Sequence, residues 1–168
     1  GACGGVTGAA GAGLRREGNR LAALITPSNA TGQFETILAS GSVADKQSAL
    51  TSLATVSGAA ADALVVKQLD ALLAGSLPKE IALELVETAG QRTAPEIVSR
   101  LEKYQAAKPK NDKLAPYREA LYGGNANDSK KIFFEKAEAS CTRCHKIGNE
   151  SGKAGPNLTG GGRRKPDE

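Results

Sequence analysis

The chain has 168 residues, a net charge of +4 and 40% hydrophobic residues, enough for one ordinary domain or two small ones. Only 4% are aromatic, so the core is expected from Ala, Leu, Val and Ile, a composition that favours helix. The small positive balance lends little support to nucleic-acid binding, and with no run of 18 apolar residues no transmembrane helix is expected.

Residues 1–13 are rich in Gly and Ala and read as a flexible tail. Cys3 lies in "GAC", which faintly resembles the end of a lipoprotein signal, but the apolar stretch of such a signal is missing. A free cysteine in the tail is the competing reading. There is no Met and no leader-like start, the pattern of a mature chain or a fragment. Helical segments follow. "LRREGNRLAALI" (14–25) ends at Thr26-Pro27, and "GQFETILAS" (32–40) ends at Gly41. "VADKQSALTSLATV" (43–56) follows Ser42 as N-cap and stops at Gly58. "ADALVVKQLDALLA" (61–74) sets Leu64, Val65, Leu69, Leu72 and Leu73 near helical spacing before Gly75.

A helix over 78–90 is expected to open with Pro78 at its first position and to close at Gly90. Thr93 and Glu96 predict a capping box for a helix over 94–106, with Ile97, Val98, Leu101 and Tyr104 on its apolar face. "KPKND" (108–112) reads as a loop, and a short helix is expected around 116–122, before "GGNAND". Ala61 and Ala94, at the starts of two of these helices, lie 33 residues apart, the rhythm of an α-solenoid. The fold class is therefore all-α: a helical-repeat region over 14–122, with a plain helical bundle as the alternative, then a separate segment over 123–168.

That last segment carries the chemistry. "NDSKKIFFEKAEAS" reads as an amphipathic helix capped by Asp128, with Ile132, Phe133 and Phe134 apolar. Cys141-Thr-Arg-Cys144-His145 then fits CxxCH, the pattern of c-type haem attachment. One helical turn brings both thiols within reach of the two haem vinyl groups, and the adjacent imidazole can meet the iron. A zinc site would want a fourth ligand, and none is obvious. A thioredoxin-like pair would want a βαβ setting, and a simple disulfide is the remaining alternative.

Residues 129–164 resemble the first half of a small single-haem cytochrome c, in which an aromatic-bearing helix precedes CxxCH and a "GPxL" turn follows, here "GPNL". The resemblance implies haem c held through Cys141 and Cys144, with His145 as its iron ligand. It also implies a hydrogen bond from that imidazole to the carbonyl of Pro156, Leu158 packed on the haem, and Phe133 and Phe134 as haem-binding residues. Arg163 or Arg164 would approach a propionate. The whole arrangement is similar to the C-terminal part of large bacterial membrane-bound dehydrogenases that carry HEAT-like repeats and a haem-binding domain.

One departure stands out: the family's sixth ligand is a Met, and this chain has none, nor a second His. The chain is then truncated, or the ligand comes from elsewhere, or the position is open. Lys153 is a weaker candidate, since an ammonium must first lose its proton.

The implied function is one-electron transfer, with the helical repeats as docking scaffold. The alternative is an interaction module whose haem is structural, a small-ligand sensor, or absent. Nothing before residue 123 forms a catalytic constellation, so no enzyme is expected from this chain alone. The expected partners are a redox protein or other subunits, with membrane association through them and no nucleic acid. Haem c attachment implies the bacterial periplasm or the periplasmic side of a membrane. Basic residues such as Lys130, Lys131, Arg143 and Lys146 crowd the motif, either as a steering rim for an acidic partner or as ordinary solvated surface.

Overall fold

The computed structural model describes residues 27–152 and 154–163, together with 14, 17 and 18. The expectations for the tail with Cys3, for most of the 14–25 helix, and for Lys153 and Arg164 lie outside the described residues. The chain is predominantly helical and divides into two compact units, Gly1–Tyr122 and Gly123–Glu168.

The first unit contains α1 (Pro27–Ser40), α2 (Val43–Leu53), α3 (Ala59–Leu73), a 3-10 turn (Lys79–Ile81), α4 (Ala82–Gly90), α5 (Pro95–Ala106) and a longer 3-10 segment (Ala115–Leu121). Helix α3 packs on α1 and α5, while α2 packs on α4, so helices two apart in sequence lie side by side. The core between them holds Leu38, Leu50, Leu53, Val65, Leu69, Ile81, Leu85 and Ile97. Each such side chain contributes about 2 kcal/mol relative to exposure. Phe34, 1% exposed, corrects the expectation of a purely aliphatic core: one of the chain's three Phe residues is among its largest fully buried side chains.

Two polar ties hold the helices in place. The buried Thr88 hydroxyl donates to the Leu50 carbonyl at 2.8 Å, fixing α4 to α2. The Arg92 guanidinium donates to the Leu53 and Val56 carbonyls at the end of α2 and to the Asp62 carboxylate on α3. Its side chain is 8% exposed. It therefore closes orphan carbonyls of one helix and pairs with the first turn of the next.

Several boundaries differ from the sequence expectations. Pro27 is the first residue of α1, where its missing N–H costs nothing, and the end of the helix expected before it lies outside the described residues. Ser42 caps α2 as expected, accepting from the Asp45 N–H at 3.2 Å. That helix ends at Leu53, and Gly58 is instead the N-cap of α3 with φ +116°, a conformation that favours glycine. Gly75 does close α3, at φ +71°: its N–H bonds the Leu72 carbonyl and that of Ser76 bonds Ala71. Pro78 precedes a 3-10 turn rather than an α-helix, which begins only at Ala82. The Thr93–Glu96 capping box does not form, because Pro95 takes the first helical position and makes Ala94 the N-cap.

In the second unit, α6 spans Ala126–Glu135 and α7 is the single turn Cys141–Cys144. Asn125, not Asp128, caps α6, its side chain accepting from the Asn127 and Asp128 N–H groups. Helix α6 stops at Glu135, short of the expected Ser140. Strands β1 (Lys146–Ile147) and β2 (Glu150–Ser151) pair antiparallel, and a 3-10 turn spans Gly161–Arg163. No strand occurs among the described residues of the first unit. None of the second unit's side chains with an assigned exposure is buried.

Candidate functional site

Ser140 precedes α7 in the left-handed conformation, φ +49° and ψ 25°, and its hydroxyl donates to the Ala137 carbonyl at 2.7 Å. This is rare for a residue with a Cβ and turns the chain sharply from the end of α6 into CTRC. Both thiols are free; Cys141 is half-buried and Cys144 exposed. The His145 N–H closes the turn on the Cys141 carbonyl at 2.9 Å, after which the chain is extended.

The segment after His145 folds back over the motif. The Gly152 N–H bonds the Thr142 carbonyl at 2.9 Å, and the Gly155 N–H bonds the Cys144 carbonyl at 2.7 Å. Both glycines are needed for closeness. A Cβ on Gly152 would lie 2.2 Å from the Arg143 carbonyl oxygen, and one on Gly155 would lie 3.0 Å from the His145 ring. The Leu158 N–H bonds the Lys146 carbonyl at 2.8 Å, and the Thr159 hydroxyl accepts from the Gly148 N–H at 2.7 Å while donating to Asn157 Oδ1.

His145 Nδ1 lies 3.1 Å from the Pro156 carbonyl oxygen. A carbonyl only accepts, so Nδ1 carries a proton, and in the neutral imidazole Nε2 holds the lone pair. The imidazole is thus oriented, with its remaining nitrogen ready to act as a ligand or base. The structure brings Cys141, Cys144, His145 and Pro156 together. Phe133 and Phe134 are half-buried and meet each other edge to face, centroids 4.9 Å apart, on a helix that packs against α7. Ile132 and Leu158 are 50% and 40% exposed, and Arg163 is exposed on the last turn. Among the described residues no three His, Cys, Asp or Glu side chains converge as a metal cluster.

In the sequence Gly155 shows only as part of a turn, and no motif there marks Gly152, Ser140 or the Asn157–Thr159 pair. The glycines three apart before Pro156 were the available signal. Compared with known families, curated proteins and solved structures, the chain matches none.

Proposed function

We propose that residues 123–168 are the haem-bearing unit of a c-type cytochrome and that the chain passes single electrons through it, in the bacterial periplasm or on the periplasmic side of a membrane. The observation that carries the reading is the His145 Nδ1 contact with Pro156, which leaves Nε2 free beside two free thiols on one helical turn. The surroundings fit an apolar macrocycle. Ile132 and Leu158 stand exposed and Phe133 and Phe134 half-exposed, in a unit where no side chain of assigned exposure is buried. When bound, haem supplies a one-electron iron couple. Cys141 and Cys144 would tether it, His145 would ligate the iron, Pro156 would fix the imidazole, and Arg163 would approach a propionate.

The helices of the first unit are the docking scaffold in this reading. Contacts of α3 with α1 and α5, alternating with α2 on α4, support a solenoid of helical repeats.

The test is a denaturing gel stained for haem peroxidase activity, run on protein matured in a host that attaches haem c. The wild-type chain should stain and Cys141→Ala/Cys144→Ala should not, while His145→Ala should keep the tether but change the spectrum. Staining of the double variant, or none of the wild type, overturns the proposal.

A further inference from the structure

The first unit holds a cavity of about 330 Å³ that has no part in the haem reading. Its apolar walls are Leu72, Leu77 and Ala82, and Tyr104, Tyr122, Lys79, Arg118 and Glu119 are among its other lining residues. The volume lies within the range of small-molecule sites, and an apolar body with a few placed polar groups is their usual composition. One of those groups is deeply buried. The Glu119 side chain is 4% exposed, and the Lys108 ammonium reaches its Oε1 at 2.7 Å. The Tyr104 hydroxyl donates to the same oxygen. Each of the two tyrosine rings has a cation over it: Lys108 lies 5.1 Å from the Tyr104 centroid and Lys79 lies 5.2 Å from that of Tyr122.

The charges decide what could enter. Lys108 and Glu119 neutralise each other, and Arg118 is paired with Asp112 at 2.7 Å. Among the described residues no carboxylate pairs with Lys79, so the cavity wall is left one positive charge in excess. Burial pushes the Tyr104 hydroxyl well above its ordinary value, with the Glu119 hydrogen bond adding to it, so the phenol stays neutral and the excess is not cancelled. A cationic ligand would find Glu119 already engaged by Lys108 and Tyr104, with Lys79 and Arg118 on the cavity wall.

We propose that this cavity binds a small flat monocarboxylate, its carboxylate on the Lys79 ammonium and its apolar body against Leu72, Leu77 and Ala82. Tyr122 is 42% exposed and forms the rim, so a ring entering there can stack on it. The site does not depend on haem and stands or falls separately from the proposed function.

The test is calorimetric titration of the full chain with benzoate, benzamide and benzylammonium. Benzoate should bind saturably, and the other two at least about tenfold more weakly, the loss expected for one charge-assisted contact. Lys79→Gln should lower benzoate affinity by about tenfold and leave benzamide unchanged. Leu77→Trp, which fills the cavity, should abolish both if circular dichroism shows it folded; should it fail to fold, Lys79→Gln alone decides. Absence of saturable benzoate binding, equal binding of benzamide, or an unchanged affinity in Lys79→Gln overturns the proposal.

Discussion

A β-carbon at Gly155 would sit 3.0 Å from both Nδ1 and Cε1 of His145 and 3.2 Å from the Cys144 carbonyl oxygen. Gly155→Ala should therefore push the imidazole off the Pro156 carbonyl. Pro156→Ala should do much less, because the acceptor is a backbone oxygen that the substitution retains. Nitrogen-15 spectra of the ring should show a protected Nδ1–H in the wild type and in Pro156→Ala, and its loss in Gly155→Ala. Equal effects of the two changes would mean that the glycine does not set the ring's position. Ser140 is strained in its backbone. Ser140→Val, which puts a β-branched residue at φ +49°, should cost the second unit about 1–2 kcal/mol, read from its thermal melt.

Glu119 gives the first unit an acid limit. Burial raises its carboxyl, but hydrogen bonds from Lys108 and Tyr104 outweigh burial and hold it below the ordinary value of 4.5. A depressed carboxyl contributes stability that is fully present above that value and disappears as the pH falls through the folded one. Tyr104 works in the opposite sense: raised above 10.0, it contributes fully below that pH and loses its contribution as the pH climbs further. Urea midpoints taken across pH should show both limbs. In Glu119→Gln the acid limb should flatten, at a neutral-pH cost of about 2–3 kcal/mol for leaving Lys108 poorly paired.

At the scale of elements, caps separate what the sequence displays from what it hides. Ser42→Ala should cost about 1 kcal/mol, since its side chain accepts the Asp45 N–H. Thr93→Ala should cost less than about 0.5 kcal/mol, although Thr93–Glu96 is the better motif on paper. Denaturant titration of the two variants checks the pair. The reason is Pro95. Its ring fixes a helical φ at the first position and forces Ala94 into an extended conformation, φ −60° and ψ 126°, which leaves Thr93 one residue outside the helix. Gly58 misleads in the same way, because a breaker read along the chain does not say whether it ends one helix or begins another. Arg92 is less legible still. Nothing local marks it as the residue that gathers Leu53, Val56 and Asp62, partners at least 30 positions away. Arg92→Ala should destabilise the first unit by about 2–3 kcal/mol, and Arg92→Lys should not rescue it, because one ammonium cannot span three acceptors.

For the whole molecule, composition bears on the haem reading. The only His is His145 and there is no Met, so no residue of these 168 matches the second axial ligand of the resembled family. The haem-loaded chain, reduced, should change its spectrum when CO is added. A six-coordinate, low-spin spectrum that ignores CO would point to an internal ligand, and Lys153 would be the first residue to replace. The motif itself was plain in the sequence, since CxxCH and GPNL are local patterns. Their closure was not, because it depends on two glycines whose role appears only when the backbone returns over residues 142–145.

That closure also makes the segment a ruler. Gly152 must arrive at the Thr142 carbonyl and Gly155 at the Cys144 carbonyl, while Thr159 meets Gly148 from the other side. These anchors fix the count of residues as well as their kind. Inserting or deleting one residue between Gly148 and Gly155 would deliver a side chain where only hydrogen fits, or swing Pro156 away from the ring. Surface loops ordinarily absorb such changes; here a chain of altered length should fold α6 and leave His145 unaligned.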